Sequence, residues 1–286
     1  MPRRIAFMNE KGGSAKTTLA ANVAAYLALE RGRRVLAVDL DPQGQLGKVL
    51  GLDTAGARRT ALELVLGALC DDPLDAPGPD ADERRTRGPS ERGDLPIRAT
   101  RIDRLDAIVS NKALGLVPTL ESGEDDPTSR LARALDRSVE LRRYDYALFD
   151  CPPSFGPLTL SVLRAVDELV VPVPLTFLAL DGCAELMRTL ATIRTRFGRS
   201  QLAVTMVVPT FYRRTRLAHE VLERLKTRFP KEIASIVVGY HVKIDEAQSR
   251  GLSIFEYAPG DRGAHALAAV AQELEARAPA PHGAQP

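Results

Sequence analysis

Residues 9–18 read Asn9-Glu10-Lys11-Gly12-Gly13-Ser14-Ala15-Lys16-Thr17-Thr18, a glycine-rich loop between two regular segments. The apolar run Ile5–Met8 precedes the loop, and a segment of good helix formers, Leu19–Leu27, follows it. In a strand, loop and helix of this kind, successive backbone N–H groups and the helix N-terminus converge on one anion. The pattern therefore predicts a phosphate-binding loop at the start of an α/β sheet.

Two lysines and a threonine carry the chemistry of this loop. Lys16 is predicted to contact the β- and γ-phosphates, and the Thr17 hydroxyl to bind Mg²⁺. The ordinary motif has glycine directly before this lysine, where this sequence has Ala15. A further lysine, Lys11, stands five residues ahead of Lys16. The alternative interpretation is a glycine turn with two solvated lysines, which would not need a strand and a helix on its two sides.

The lysine spacing, KGGxxKTT, resembles the deviant Walker A box of the ParA/MinD family of P-loop ATPases. The resemblance implies that ATP is bound by Lys11, Gly12, Gly13, Ser14, Ala15, Lys16, Thr17 and Thr18. It also implies a homodimer that forms face to face around two nucleotides. In that dimer Lys11 crosses the interface and touches the partner's ATP, so that Lys11 and Lys16 both count as catalytic residues.

Two later segments resemble the family's other nucleotide motifs. Val35–Asp39 reads as a buried strand and continues as Leu40-Asp41-Pro42-Gln43-Gly44, similar to the first switch. By resemblance Asp41 orients the attacking water and Asp39 organises Mg²⁺ through its water shell; the alternative for Asp39 is a carboxylate that caps a helix or a loop. Strand Tyr144–Asp150 ends before Cys151-Pro152-Pro153-Ser154, similar to Walker B and the second switch. Asp150 is thus a third metal-site residue beside Thr17 and Asp39.

Composition limits the function classes. A chain of 286 residues with 44% hydrophobic residues can bury a substantial core. No apolar run is long enough to span a membrane, and no apolar signal sequence follows Met1. The cysteines, Cys70, Cys151 and Cys183, are odd in number and widely spaced, which argues against a disulfide framework or a cysteine metal site and for the cytoplasm. Cys151 is expected to be a packed residue rather than a nucleophile.

Positive charge is concentrated in one segment. The net charge is only +2, yet residues 188–231 hold eleven basic residues against two acidic ones, a net charge of +9. Such asymmetry predicts a polyanionic partner, and the alternative is a solvated helix face. By resemblance to the family's RTRL and NVRLSEA segments, non-specific double-stranded DNA is contacted by Arg213, Arg214, Arg216 and Lys243. Val238-Gly239-Tyr240 stands where relatives have Ile-Pro-Arg, so one basic contact of the family is missing.

The remaining chain alternates strands and helices, which predicts a doubly wound, mostly parallel sheet with helices on both faces. Further strands are expected at Glu168–Val173 and Gln201–Val208, a helix from Asp126-Pro127 to about Arg143, and late sheet or edge elements at Ile236–Val238 and Ile254–Glu256. Pro209 and Thr210, after the later strand, contact the adenine by resemblance. One ATPase domain, 1–276, is expected, with a flexible insert at 71–95 that is a linker or a partner-binding segment, and a disordered tail at 277–286.

The function implied by the resemblance is a weak Mg²⁺-dependent ATPase that acts as a switch. An ATP-bound homodimer binds nucleoid DNA, and a ParB-like partner stimulates hydrolysis, so that DNA or another cargo is segregated or positioned. The alternative is a positioning protein that acts through a protein scaffold without DNA. Membrane binding of the MinD type is not expected, because residues 278–286 cannot form a basic amphipathic helix. Iron–sulfur carriers of the superfamily need paired cysteines, which this sequence lacks.

Overall fold

A computed structural model describes residues 1–54, 56–66, 95–116, 126–154, 156–177 and 179–277. These residues contain an eight-stranded sheet with the strand order β3-β4-β2-β5-β1-β6-β7-β8. The strands are β1 Arg3–Phe7, β2 Val35–Asp39, β3 Arg98–Ala99, β4 Leu105–Ile108, β5 Tyr146–Asp150, β6 Glu168–Pro174, β7 Ala203–Tyr212 and β8 Val238–Gly239. All neighbouring strands are parallel except β3, which runs antiparallel to β4 at one edge.

Helices cover the sheet. The α-helices are α1 Lys16–Leu29, α2 Gln45–Val49, α3 Ala61–Leu66, α4 Arg130–Arg137, α5 Pro157–Ala165, α6 Ala179–Arg196, α7 Arg216–Arg228, α8 Val242–Ser249, α9 Ile254–Tyr257 and α10 Arg262–Ala276. Short 3₁₀ turns lie at Lys112–Leu116, Pro127–Ser129 and Glu140–Arg143. Among the described residues, no helix is both long enough and apolar enough to cross a bilayer.

The alternation of side chains along β1 shows why both faces must be covered. Ile5 and Phe7 belong to one apolar cluster, with residues of α1 and α10. Ala6 and Met8 belong to the other, with residues of α4, α5, α6 and α7. Successive side chains of a strand point to opposite faces, so a strand buried on both faces reads as a continuous apolar run. The prediction of a doubly wound α/β fold is confirmed.

The strand order also places the functional loops. β5 lies between β2 and β1, with Asp150 beside Asp39 on one side and beside Phe7 on the other. The carboxyl ends of these three neighbouring strands therefore lead into residues 8–15, 40–44 and 151–154 at one edge of the sheet. In open parallel sheets this edge is where ligands bind.

Some local predictions were wrong. Ile254–Glu256 is not a sheet element, because Ser253 and Glu256 form a capping box that starts helix α9. The helix expected from Asp126 to Arg143 is interrupted: Asp126 does cap its start, but α4 ends at Arg137 and the Ser138 hydroxyl accepts from the Leu141 amide of a separate 3₁₀ turn. Strand β8 covers only the end of the predicted segment 236–238.

The two regions predicted to be flexible lie mostly outside the described residues. Of the insert predicted at 71–95, only Leu95 is described, and it is buried. Of the tail predicted at 277–286, only Arg277 is described. Its guanidinium donates to the carbonyl oxygens of Thr205, Glu232 and Ile233 at 2.6–2.8 Å, which fixes the end of α10 to the sheet.

Candidate nucleotide site

The backbone of the glycine loop is built for close approach by a ligand. Gly13 has a φ of +67°, and Ala15, directly before α1, has a φ of +74°. An L-residue in this left-handed region costs roughly 1–2 kcal/mol, which explains why glycine is usual where Ala15 stands. A Cβ added at Gly12 or Gly13 would meet nothing within 4 Å. The space over the loop is therefore open, while α1 starts without any side-chain cap for its N–H groups.

Lys16 is held inside the site. Its side chain is buried, and Nζ donates to the Lys11 carbonyl oxygen at 3.3 Å. Burial lowers the pKa of the Lys16 ammonium, and the nearby carboxylates of Asp150 and Asp41 oppose that change. The lysine therefore stands as a desolvated cation among carboxylates, a position in which it interacts strongly with a phosphate.

Lys11 is directed differently. Its amide donates to Asn9 Oδ1 at 2.9 Å, and its Nζ donates to Thr176 Oγ1 at 3.0 Å, just after strand β6. Asn9 in turn donates through Nδ2 to the Pro172 carbonyl oxygen at 2.6 Å. The front of the loop is thus fixed to β6, and the side chain of Lys11 lies at the surface rather than over the loop.

Asp150 is the least compensated charged group of the site. It is fully buried, and among the described residues neither of its carboxylate oxygens has a hydrogen-bond partner. Burial raises its pKa to about 7, while Thr17 and Lys16 lower it. Thr17 is near enough to affect this pKa, although the geometry falls short of a hydrogen bond. The Ser14 hydroxyl is likewise buried without a partner in the described part of the chain.

Asp39 has a different environment. It is also fully buried, but its oxygens accept from the amides of Asp41 at 3.1 Å, Leu46 at 3.0 Å and Gly47 at 3.4 Å. Burial, and secondly the neighbouring Asp150, raise the pKa of Asp39 well above its usual range. These bonds hold residues 41–47 in place, which favours the capping interpretation of Asp39. A role for Asp39 at the metal stays a prediction.

The conformation of the first-switch loop, residues 40–44, depends on these contacts and on one glycine. Gly44 has a φ of +60°, and a Cβ there would come within 2.8 Å of the Ser110 carbonyl oxygen, so glycine is required. Asp41 accepts from the Gln43 amide at 2.9 Å and is half-buried. It lines a cleft of about 290 Å³ together with Pro152 and Pro153 of the second-switch loop. The two predicted switch loops therefore face each other across one cleft.

A magnesium ion fits the donor set at Asp150. A buried carboxylate with unpaired oxygens next to a threonine hydroxyl and a phosphate-binding loop offers the hard oxygen ligands that Mg²⁺ takes. The described residues contain no cluster of three or more acidic, histidine or cysteine side chains that would bind a metal alone. Magnesium in such sites is held by one or two carboxylates together with substrate phosphates.

Pro209 and Thr210 are placed differently from the prediction. They lie within β7, which continues to Tyr212, and not after the end of the strand. Thr210 is fully buried and its hydroxyl donates to the Ser14 carbonyl oxygen at 3.3 Å, so this side chain supports the loop from beneath. Cys151 is buried, and burial raises the pKa of its thiol, in agreement with its expected packing role.

Comparisons with known proteins place the chain in a family. A family profile described as "AAA domain" matches residues 2–204. The chain is 35% identical over 275 residues to the chromosome-partitioning ATPase Soj of Thermus thermophilus, with 96% of each chain covered. It is 32% identical over 281 residues to the sporulation initiation inhibitor protein Soj of Bacillus subtilis, covering 96% of this chain and 99% of the other. This chain belongs to the ParA/Soj family of ATPases.

A solved relative contains ligands. A Mycobacterium smegmatis structure described as cobyrinic acid a,c-diamide synthase, with a bound ATP analogue and magnesium, is 28% identical. Its TM-score is 0.71, and 95% of this chain and 93% of that chain are covered. The ATP and Mg²⁺ expected for a ParA/Soj site agree with that structure and with the unpaired oxygens of Asp150.

The predicted DNA contacts of the ParA/Soj chain come together at one end of the sheet. β7 and β8 are parallel neighbours, with Thr210 beside Val238 and Tyr212 beside Gly239. Residues 213–216 and 240–243 therefore leave the sheet side by side. Arg213 and Arg214 are exposed, and no ion pair involves them in the described ranges. Arg216 pairs with Glu220 at 2.9 Å, and Lys243 with Glu246 at 2.7 Å.

Several residues that support the site were not predicted. Thr176 accepts from Lys11, and the Asn22 carboxamide accepts from the Ile254 amide at 2.9 Å. Gln248 Nε2 donates to Thr18 Oγ1 at 2.8 Å. These three contacts join residues between 165 and 232 positions apart in the sequence. No local pattern signals such contacts.

Proposed function

We propose that this ParA/Soj-family chain is an ATP-dependent switch, a weak Mg²⁺-dependent ATPase whose ATP-bound homodimer binds non-specific double-stranded DNA. A ParB-like partner stimulates hydrolysis, and the cycle segregates or positions DNA or another cargo in the cytoplasm, on the nucleoid. The observation that carries the proposal is that a buried lysine, Lys16, lies close to a buried carboxylate, Asp150, whose oxygens have no hydrogen-bond partner among the described residues, beside an open glycine loop.

The chain's own groups divide the work of phosphoryl transfer to water. The uncapped start of α1 and the Lys16 ammonium bind the phosphates, while Thr17 and Asp150 would hold Mg²⁺. When bound, Mg²⁺ supplies charge neutralisation at the phosphate oxygens. Asp41, at the cleft between the two switch loops, accepts a hydrogen bond from the attacking water and orients it. Lys11 adds a second positive charge from the partner subunit in the dimer.

Exchange of Asp41 tests the switch. We expect Asp41→Ala to slow ATP hydrolysis at least 50-fold, because positioned proton acceptors contribute about 10²–10⁴-fold. ATP affinity should change less than threefold, since among the described residues the Asp41 carboxylate accepts a hydrogen bond from the Gln43 amide and none from the phosphate-binding loop. Single-turnover hydrolysis and fluorescent-nucleotide titration measure the two quantities. Asp103→Ala, at a carboxylate whose side chain is 95% exposed, is the control. Rapid hydrolysis by Asp41→Ala would refute the assignment.

Binding to a non-specific duplex, with ATP and with ADP and across a salt series, tests the DNA part. We expect tight binding only with ATP, because dimerisation doubles the basic surface. The logarithm of the binding constant should fall with the logarithm of the salt concentration by about 0.9 for each phosphate neutralised. Arg213 and Arg214 have no carboxylate partner in the described structure, which supports their role as phosphate contacts.

A second function keeps the ATP switch but uses a protein scaffold in place of DNA. The ion pairs of Arg216 and Lys243 favour it, since two of the four predicted DNA contacts already have acidic partners. Exposed pairs of this kind contribute little to stability and do not prevent phosphate binding. If neither nucleotide state binds duplex DNA at low salt, the scaffold function is the better description.

A further inference from the structure

A second cleft lies far from the nucleotide loop, between α6 and α7. We call it the α6–α7 cleft; its floor is formed by Met187, Val204 and Phe229, and its rim by Arg194, Arg228 and Glu232. Its volume is about 250 Å³. Val204 lies near the start of β7, whereas Thr210, which contacts the glycine loop, lies six residues further on. At about 3.3 Å per residue these positions are roughly 20 Å apart, so this cleft is not part of the nucleotide site.

The rim presents cations that are free to bind a ligand. Arg194 donates through Nε to the Leu202 carbonyl oxygen at 2.7 Å, which fixes the side chain and leaves its terminal nitrogens available. Arg228, the last residue of α7, has no hydrogen bond or ion pair from its side chain within the described part of the chain. Arg224 and Lys231 are exposed nearby in sequence and add to the positive potential of this side.

The size and lining of the cleft restrict its ligand. A volume of about 250 Å³ is sufficient for one inserted side chain. A phosphate polyanion would gain nothing from an apolar floor and would be repelled by Glu232. A peptide can use all three parts of the cleft. Its apolar side chain would pack on the floor, its carboxylates would bind the two arginines, and one of its backbone N–H groups would donate to the Glu232 carboxylate.

We infer that the α6–α7 cleft is a docking site for an acidic segment of a partner protein that inserts one apolar side chain between Arg194 and Arg228. Charge complementarity selects the partner, because the rim carries two arginines, Arg194 and Arg228, against one carboxylate, Glu232. The apolar anchor supplies the fixed contact, as buried anchors do in other interfaces. The inference does not depend on nucleotide-driven DNA binding, since the cleft lies near the amino-terminal end of β7 and the glycine loop lies near its carboxyl end.

Site-specific photo-crosslinking in living cells tests the inference. A diazirine-bearing amino acid replaces Met187, which is half-buried at the cleft floor, and a second variant carries it at the exposed Val139 as the control position. We expect a protein adduct at Met187 that is at least fivefold stronger than at Val139. Mass spectrometry of the adduct should map the contact to a segment in which acidic residues flank an apolar one.

Charge reversal decides whether the arginines select the partner. Arg228→Glu should reduce the adduct at least tenfold. Because its side chain makes no described bond, the protein should remain folded, with thermal melting lowered only by the reversed charge at the C-terminal end of α7. Arg214→Glu, a reversal of the same size near the other end of α7, should leave the adduct within twofold. The inference would be overturned by an adduct with DNA, by an adduct whose mapped segment has no acidic residue, or by the absence of an adduct above the Val139 level. It would also be overturned if Arg228→Glu left the adduct unchanged.

Discussion

The nucleotide edge of the sheet and the basic segment 188–231 both concentrate charge, but they hold it in opposite ways. At the nucleotide edge Lys16, Asp39 and Asp150 are buried, and these charges alter one another's pKa values. In the basic segment most of the cations are exposed, and their partners are surface carboxylates such as Glu220 and Glu223. The same residue types therefore have different energetic weights in the two regions.

The difference follows from the dielectric environment. Charges in a dry site interact several times more strongly than charges in water, so removal of one leaves the others uncompensated. Exposed charges contribute little individually, and their effect is the sum over the surface. Single substitutions should therefore be decisive at the nucleotide edge and graded in the basic segment. The predictions that follow test this contrast, in order of decreasing effect.

Lys16→Ala should have the largest effect. We expect ATP affinity to fall at least a thousandfold, since a desolvated cation is removed from the phosphate site while Asp150 and Asp41 remain. Lys48→Ala is the matched control: Lys48 is exposed, and its ammonium donates only to the Gln43 carbonyl oxygen at 3.4 Å. Calorimetric titration with ATP and Mg²⁺ measures both variants. A loss below tenfold for Lys16→Ala would show that the site is more hydrated than its burial indicates.

Asp150→Asn should stabilise the protein in the absence of nucleotide and metal while it abolishes Mg²⁺-dependent hydrolysis. The folded-state pKa of Asp150 is about 7, against an ordinary value of 3.8. Between these values the folded chain holds a proton that the unfolded chain has released, so wild-type stability falls as the pH rises through this window. At about 1.4 kcal/mol per pKa unit, the loss reaches up to about 4 kcal/mol above pH 7.

Urea unfolding in EDTA at pH 5 and pH 8 measures this effect. We expect the variant to gain about 2–4 kcal/mol over wild type at pH 8 and clearly less at pH 5, because asparagine has no ionisation to suppress. Asp103→Asn, at an exposed carboxylate, should follow wild type at both values. Equal stability of Asp150→Asn and wild type at pH 8 would mean that the buried carboxylate is compensated by an internal partner.

Arg214→Glu should weaken ATP-dependent DNA binding about tenfold, a graded effect in keeping with an exposed position. The matched control is Arg224→Glu, which makes the same charge change on the middle of α7 rather than beside the ends of β7 and β8. A loss of threefold or less is expected there. Anisotropy with a labelled duplex at two salt concentrations gives both values. Equal losses would indicate that only net charge matters and that residues 213–216 form no defined contact.

Thr176→Val should have the smallest effect. It removes the acceptor of the Lys11 ammonium within one subunit while it keeps the size and β-branching of the side chain. A surface hydrogen bond to a charged group is worth little net, so we expect a two- to threefold gain in ATP-dependent dimerisation, measured by analytical ultracentrifugation. Thr195→Val, at an exposed threonine on α6, is the control. A loss of dimerisation would instead mean that Thr176 holds Lys11 in its productive position.

The sequence was informative where function depends on local backbone geometry. The glycine loop, the aspartates that end β2 and β5, and the fold class were all predictable, because each leaves a short pattern: glycines before a helix, or an apolar run that ends in aspartate. The fate of Ile254–Glu256 was predictable as well, since Ser253-Ile254-Phe255-Glu256 is a capping-box sequence. The apolar residues Ile254 and Phe255 were nevertheless interpreted as part of a sheet element.

Other features had no local signal. The role of Thr210 depends on where β7 ends. The strand continues to Tyr212, beyond Pro209, which was predicted to lie after its end. In the described part of the chain, Asp39 accepts from three backbone amides and Asp150 from none. This difference depends on the path of residues 41–47, which neither motif specifies. The ion pairs of Arg216 and Lys243 are an exception, because Glu220 and Glu246 lie at helical spacing from them in the sequence.

The bond between Gln248 and Thr18 joins the helix that carries Lys243 to the first turn of α1. A few residues further on, the carboxamide of Asn22 fixes the Ile254 amide to the same helix. The segment of the predicted DNA surface is therefore joined by direct hydrogen bonds to the helix that starts at the phosphate site. Linkage then demands reciprocity: whatever factor ATP adds to the affinity of this surface for its ligand, that ligand must add to the affinity for ATP. A track that the protein binds would in this way also retain its nucleotide.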